Sequence, residues 1–229
     1  MGSNRPADPG RAFLAALTLL IALLLGACSR RIPTLVPPSC GLEAVEGYAS
    51  ASISGADAAA KGRFAFVFRR PGFGRVEAVD PIGRTAFLVL FRGDRAWFVL
   101  PGKKVYAEDA APTMMGRFLG IDLLPDEILP LLSGLWTGAG PESGWTVERD
   151  ERGRAVRCAR EDFFFTVREF FPGGGVPRRI EFAGAETTGR LKVLELAFNP
   201  APADAPFDVS FLRAYAPKTW EGILEILDR

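Results

Sequence analysis

The sequence predicts an α+β fold that is mainly antiparallel β, with a curved, open half-barrel sheet capped by short helices. Three observations indicate it. Apolar residues alternate with other residues in short segments, as at Phe64, Phe66 and Phe68, which is the period of a strand. The 25 glycines and 18 prolines divide the 229 residues into pieces too short for a helix bundle. Apolar residues recur at helical spacing in the middle of the chain and near its end.

The predicted strands follow one another with short turns between them. The alternating segment 61–70 is followed by a Pro-Gly turn and by a return strand at 75–80. Further strands, bounded by glycine-, proline- or charge-rich turns, are predicted at 85–92, 95–100, 103–107, 145–149, 155–159, 163–170, 178–183 and 190–198.

Two short helices interrupt this succession of strands. Residues 111–135 carry apolar side chains at helical spacing, broken by a glycine and two prolines. We therefore predict helices at 113–119 and 126–132, with Thr113 and Asp126 as their N-terminal caps.

One folded domain is expected, at 47–211. Residues 1–27 are interpreted as a lipoprotein signal peptide, and 28–46 as an acylated cysteine and a proline-rich, extended tether. Residues 212–229 form a C-terminal extension in which 219–227 has the apolar spacing of a short helix.

The signal-peptide interpretation rests on an apolar run that ends in a cysteine. Residues 12–25 are almost purely apolar and fall short of the ~20 residues that span a bilayer. The small residues before Cys28 resemble a bacterial lipobox, which implies acylation of Cys28 and anchoring by two or three acyl chains. Ser29, rather than an aspartate, indicates the periplasmic face of the outer membrane by resemblance to enterobacterial sorting rules. The alternatives are a secreted protein cleaved near Ala27 and a short buried helix.

Composition excludes several classes of function. The 28 basic and 27 acidic residues nearly cancel, so we expect no nucleic-acid partner. The absence of histidine removes the commonest metal ligand and the usual nucleophile–base arrangements. The acidic pairs 150–151 and 161–162 lie at predicted turns among arginines and are interpreted as solvated surface charge. We expect no enzymatic activity, metal ion or cofactor.

Cys40 and Cys158 remain after processing, in an oxidising compartment. A disulfide between them is one possibility, and the sequence does not test its geometry.

Strand parity and helical spacing select a set of apolar residues for the interior. Two interpretations are open: a filled core, or a hollow that accepts hydrocarbon, which paired methionines would favour. The predicted set is Phe64, Phe66, Phe68, Val76, Ala78, Trp97, Val99, Phe163 and Phe165 on the sheet, and Met114, Met115, Phe118, Leu119, Ile128, Leu131 and Leu132 on the helices.

The turn between the strands at 75–80 and 85–92 contains Pro81, Ile82 and Gly83. An apolar residue exposed at such a tip would contact a membrane or an acyl chain, whereas in an ordinary turn Ile82 would fold back onto the sheet.

The order of these features resembles the LolB family. The similar segments are the stretch from Gly47-Tyr48 through Ile82-Gly83, the strand 103–107, Leu-Gly-Ile-Asp-Leu at 119–123 and Leu-Ser-Gly-Leu at 132–135. LolB proteins are outer-membrane receptors for lipoproteins and share their fold with the periplasmic carrier LolA. The resemblance implies an apolar cavity for acyl chains delivered by a LolA-like carrier, and a loop, tipped here by Ile82, that helps insert the cargo into the membrane.

Departures from the family leave other functions open. The chain has little room for a helix before its first strand, and the two cysteines and the 212–229 extension have no family counterpart. Our expectation is a monomeric, lipid-anchored receptor. The alternative is a structural or interaction lipoprotein of the envelope, with a lipid-sensing or scaffold role and no transfer activity.

Overall fold

A computed structural model describes residues 32–39, 41–55, 59–80, 82–119, 123–136 and 144–227. The chain divides into two compact units, Met1–Pro33 and Thr34–Arg229, and the second contains the elements given below. The predicted signal peptide, the lipid-attachment residue Cys28, Cys40 and Pro81 lie outside the described residues. Among the residues described, no helix is long and apolar enough to cross a membrane.

The second unit is built on one open, curved sheet, and the predicted fold class is confirmed. In the described part of the chain the sheet has twelve strands, in the order β12-β6-β5-β4-β3-β2-β1-β11-β10-β9-β8-β7. Neighbouring strands are antiparallel except for β12, which pairs parallel with β6. The strands are β1 (Ala44–Ser54), β2 (Ala59–Arg69), β3 (Phe73–Val79), β4 (Thr85–Arg92), β5 (Arg95–Leu100), β6 (Val105–Ala110), β7 (Thr146–Arg149), β8 (Ala155–Arg160), β9 (Phe163–Phe170), β10 (Pro177–Ala183), β11 (Thr188–Phe198) and β12 (Ala216–Lys218).

The central strand β1 is absent from the strands predicted above, and it begins three residues before the predicted domain. Between Val45 and Ile53 its inward positions carry the small residues Gly47, Ala49 and Ala51, so the alternation of large apolar with polar residues is weak there. The pairing of β1 with β11 shifts register between Tyr48 and Ala49. Such irregularities bend a strand and increase its twist, which helps the sheet to curl.

The described residues form three α-helices: α1 (Ala111–Leu119), α2 (Pro125–Ser133) and α3 (Trp220–Leu227). The two predicted caps are wrong. Thr113 lies inside α1, because α1 begins directly after β6. Leu124 occupies the N-cap position of α2, and its N–H donates to the Glu127 carboxylate at 2.8 Å. Asp126 instead accepts a hydrogen bond from the N–H of Gly72, in the β2–β3 turn, at 2.9 Å.

Two apolar clusters lie on the two faces of the sheet. The larger one lies on the inner face, against which α1, α2 and α3 pack. The smaller one lies on the outer face and contains Trp97 and Val99, which pack with Leu88, Leu90 and Leu212. The prediction that Trp97 and Val99 face inward is therefore wrong. Strand β5 is buried on both faces, so alternation could not tell its two faces apart.

The C-terminal residues belong to the same unit instead of extending from it. Leu212 covers the outer cluster, β12 pairs with the edge of β6, and Trp220 reaches the inner face. There the Trp220 ring lies 5.4 Å from that of Phe98 and 5.8 Å from that of Phe118, edge-on to both. This segment therefore wraps around one edge of the sheet and protects the backbone groups of β6.

The predicted tether also packs against the unit where it is described. The N–H of Leu35 donates to the carbonyl of Pro172 at 3.0 Å. A side chain at Gly174 would lie 2.7 Å from the carbonyl oxygen of Leu35. This part of the predicted tether therefore contacts the β9–β10 turn.

Candidate functional site: an apolar cavity

The space between the inner face and the helices is incompletely filled. A cavity of about 180 Å³ lies there, and apolar side chains form nearly all of its wall. The predicted residues that line it are Phe64, Phe66, Phe68, Val76, Met115, Phe118, Ile128, Leu131, Leu132, Phe163 and Phe165.

Four other predicted residues, all with described side chains, do not contribute to this wall. Met114 and Ala78 are buried without lining the cavity, so they serve as core. Trp97 and Val99 are on the outer face. The side chain of Leu119 lies outside the described residues.

Sequence reasoning missed about as many lining residues as it found. Most of them lie on strands whose inward face could not be identified from the alternation of residues, or on β1, which was not predicted because several of its inward side chains are small. These residues are Ala49, Ala51, Ile53, Phe87, Val89, Phe91, Leu123, Glu127, Trp145, Ile180, Phe182 and Leu191.

Small residues opposite large rings shape the cavity. Ala49 on β1 pairs with Phe64 on β2, and Gly74 on β3 pairs with Phe68. A side chain at Gly74 would meet the Phe68 ring at 2.8 Å, and one at Gly189 would meet the Phe182 ring at 2.1 Å. The glycines therefore fix where the rings lie, while alanines on β1 leave volume unoccupied above the middle of the sheet.

Aromatic rings form two of the cavity's walls. On the α1 side, Phe87 stacks on Phe98 at 5.2 Å, and Phe98 stacks on Phe118 at 5.7 Å. On the opposite side, the Trp145 ring lies 5.6 Å from that of Phe165. Contacts of this kind hold large side chains in place, so the cavity has a defined shape.

One charged side chain, Glu127 of α2, lies among the described residues that line the cavity. Its Oε1 accepts a hydrogen bond from Trp145 Nε1 at 3.0 Å and one from Arg160 Nη1 at 2.5 Å. Its Oε2 accepts from the N–H of Leu124 at 2.8 Å. The Arg160 guanidinium also lies 4.9 Å above the Trp145 ring. Because the carboxylate is paired, the wall stays suited to hydrocarbon.

The cavity is less enclosed at one end of the sheet. Ile53, Phe87 and Phe182 are only partly buried there, whereas Phe68 and Phe91, towards the other end, are buried. By strand register, the β3–β4 loop lies at the less enclosed end, beside the start of β2 and the end of β1. The tip residue of that loop is therefore near the side from which a ligand would reach the cavity.

The β3–β4 loop presents its apolar tip to solvent. Ile82 is 72% exposed, so it does not fold back onto the sheet. The Asp80 carboxylate accepts hydrogen bonds from the N–H groups of Arg84 (2.8 Å) and Ile82 (3.0 Å) and pairs with the Arg84 side chain. The backbone hydrogen bond from Arg84 is the main cause that lowers the pKa of Asp80. The loop is thus ordered by polar contacts that leave Ile82 outside.

Among the described residues, no group of three or more potential metal ligands occurs. Asp150 caps the β7–β8 turn through the N–H groups of Arg152 and Arg154, as Asp80 does in its own turn. Cys158 is a buried thiol, and burial raises its pKa to about 12. A disulfide with Cys40 stays a prediction.

Solved structures share this architecture. No protein-family model matches the sequence, and no curated protein matches it either. A domain described as an outer membrane lipoprotein-sorting protein, from Vibrio parahaemolyticus, is similar over 85% of this chain and 97% of its own, with a TM-score of 0.50 and 12% identity. The chain has the fold of this domain.

Two further solved structures show a weaker likeness. A LolA superfamily protein from Nitrosomonas europaea covers 75% of this chain, with 93% of its own length matched, 12% identity and a TM-score of 0.47. A DUF1329 family protein from Desulfovibrio piger covers 76%, with 92% of its own length, 11% identity and a TM-score of 0.48. At such identities the likeness concerns the fold, and function has to be argued from the cavity.

Proposed function

We propose that the protein is a LolB-like receptor, anchored through Cys28 to the periplasmic face of the outer membrane, which binds the acyl chains of lipoproteins and helps insert them into that membrane. The observation that supports this proposal most directly is the apolar cavity between the sheet and the helices. A LolA-like carrier would supply the cargo. The fold shared with a domain described as lipoprotein-sorting is consistent with this function.

The cavity volume defines what binding requires. A buried apolar cavity of about 150 Å³ binds benzene, so the ≈ 180 Å³ present here holds a segment of about six carbons. Each methylene transferred from water contributes about 0.8 kcal/mol. A complete acyl chain therefore needs additional space, which displacement of α1 or α2 from the sheet would supply.

The exposed tip at Ile82 provides a route from the cavity to the membrane. It projects at the less enclosed end of the sheet, so a bound chain and the bilayer would meet at the same end. This role for Ile82 was expected from the family resemblance, and the exposure of the residue is consistent with it.

A second candidate is a scaffold or lipid-sensing lipoprotein without transfer activity. The small volume of the cavity favours it, because a hollow that stays at ≈ 180 Å³ would accept no complete chain. The two candidates differ in whether a long acyl chain binds and in whether it is passed on.

The test has two stages on the purified full chain. The first measures binding of a fluorescent long-chain acyl probe, which the receptor requires and a rigid scaffold would lack. The second measures insertion of an acylated lipoprotein into liposomes by Ile82→Glu, which should bind the probe normally but insert poorly. Tyr48→Glu, at a residue 46% exposed on the outer face, is the matched control. Normal insertion by Ile82→Glu would reject the role of the tip.

A further inference from the structure

The first turn of helix α2 is bound to two separate parts of the curved sheet. The Asp126 carboxylate accepts the N–H of Gly72, in the turn between β2 and β3, near the middle of the strand order. Glu127 binds Trp145 and Arg160, which lie at the β7 and β8 end of the strand order. The helix is therefore held over the hollow at two points, and Glu127, the second of them, lines the cavity.

The ion pair between Glu127 and Arg160 is less exposed to solvent than the pair between Arg168 and Glu181. The Arg160 and Glu127 side chains are 16% and 25% exposed, whereas Arg168 and Glu181, an ion pair of β9 and β10, are 57% and 35% exposed. Charged hydrogen bonds away from bulk water are stronger than exposed ones. Three donors converge on one carboxylate, so its loss would affect several contacts of α2 together.

We propose that Glu127 is a positioning residue whose contact with Arg160 and Trp145 holds α2 over the cavity and breaks when an acyl chain is taken up. This inference rests on the proposed function, since it assigns the barrier to uptake within the same cavity. The physical reason is the mismatch in size: the cavity of about 180 Å³ holds a segment of about six carbons, and α2 contributes three of its apolar wall residues, Ile128, Leu131 and Leu132. Moving α2 outward enlarges the hollow, and the Glu127 contact opposes that movement.

The experiment measures two quantities on the purified full chain. One is the association rate of a fluorescent long-chain acyl probe by stopped flow. The other is the hydrogen exchange of the α2 amides in the absence of probe. Glu127→Gln and Arg160→Met should each raise both rates about five- to tenfold, as expected for loss of a partly buried charged hydrogen bond. The double variant should add little to either single change, because the Glu127–Arg160 ion pair is lost in both single variants.

Two comparisons separate positioning from a general loss of stability. Arg160→Lys keeps a charged donor and should restore both rates to within about twofold of the unchanged protein. Arg168→Met removes the exposed Arg168–Glu181 pair (2.8 Å) and should alter neither rate. A purely structural role of Glu127 would raise exchange throughout the sheet and in α3, whereas the proposed role confines the increase to α2.

The outcomes are distinct for the two proposals. Unchanged α2 exchange in Glu127→Gln overturns the positioning role, whatever the probe does. Faster α2 exchange with an unchanged association rate also overturns it, because uptake would then not depend on this contact. If the unchanged protein binds no acyl probe, the proposed function fails, and α2 exchange alone decides whether Glu127 holds the helix.

Discussion

Replacing Ala51 with leucine fills part of the cavity from the central strand. Ala51 lines the cavity from β1, opposite Gly62 on β2 and Leu191 on β11. On the scale of benzene in a cavity of about 150 Å³, the added carbons occupy on the order of 75 Å³. This is a large part of the ≈ 180 Å³ available. Filling at ~24 cal/mol per Å³ would raise the free energy of unfolding by up to about 2 kcal/mol.

The same substitution should weaken ligand binding. The leucine side chain would take the place of about three methylenes of the acyl chain. Binding would therefore lose about 2.4 kcal/mol of transfer free energy. The Kd of an acyl probe should therefore rise about fiftyfold. Urea denaturation measures the stability, and fluorescence titration measures the Kd.

A matched control separates the cavity from the strand. Ala65→Leu makes the same chemical change on β2, at an outer-face position paired with Tyr48. It should leave the Kd unchanged and give no gain in stability. If Ala51→Leu lowers the stability and binds the probe as tightly as the unchanged protein, the reasoning from an unfilled acyl cavity is refuted.

Two other substitutions and one labelling experiment test the packing described above. Trp220→Ala should lower the free energy of unfolding by about 3–5 kcal/mol, because it empties a site among buried rings. Trp220→Phe should lower it much less, since among the described residues the buried Trp220 Nε1 has no hydrogen-bond partner to lose. Urea denaturation of both variants measures the two losses, and equal losses would contradict this prediction. Cys158 should resist alkylation at pH 8 in the folded protein and react after unfolding, because burial raises its pKa to about 12 and covers the sulfur. Mass spectrometry of the peptides measures the extent of alkylation at Cys158. Rapid labelling of this thiol in the folded chain would contradict its burial.

The fold could be predicted largely from local pattern. Alternation located β2 through the three phenylalanines that face inward, and helical spacing located α1 and α2 to within two residues. These signals work because one face of each element is buried and the other is not. Strand β1 was not predicted because several of its inward residues are small. The same small side chains leave volume in the cavity unfilled.

The residues of the candidate site were harder to predict on strands that are buried on both faces. They were also harder to predict where hydrogen-bond partners lie far apart in the sequence. Trp97 and Phe98 are both buried, on opposite faces, because the C-terminal segment covers the outside of β5. Nothing near Glu127 in the sequence indicates Trp145 and Arg160, which are 18 and 33 residues away. Such contacts depend on how the whole sheet curves, so local spacing carries no signal for them.

The location of a bound acyl chain tests the central claim most directly. A photoreactive long-chain acyl probe can be crosslinked to the purified full chain and its attachment sites mapped by mass spectrometry. A chain bound in the cavity should label inner-face residues of β2 and β4, such as Phe64 and Phe87, and residues of α2 such as Leu131. Labelling confined to the outer cluster around Trp97, or no labelling at all, would contradict the account.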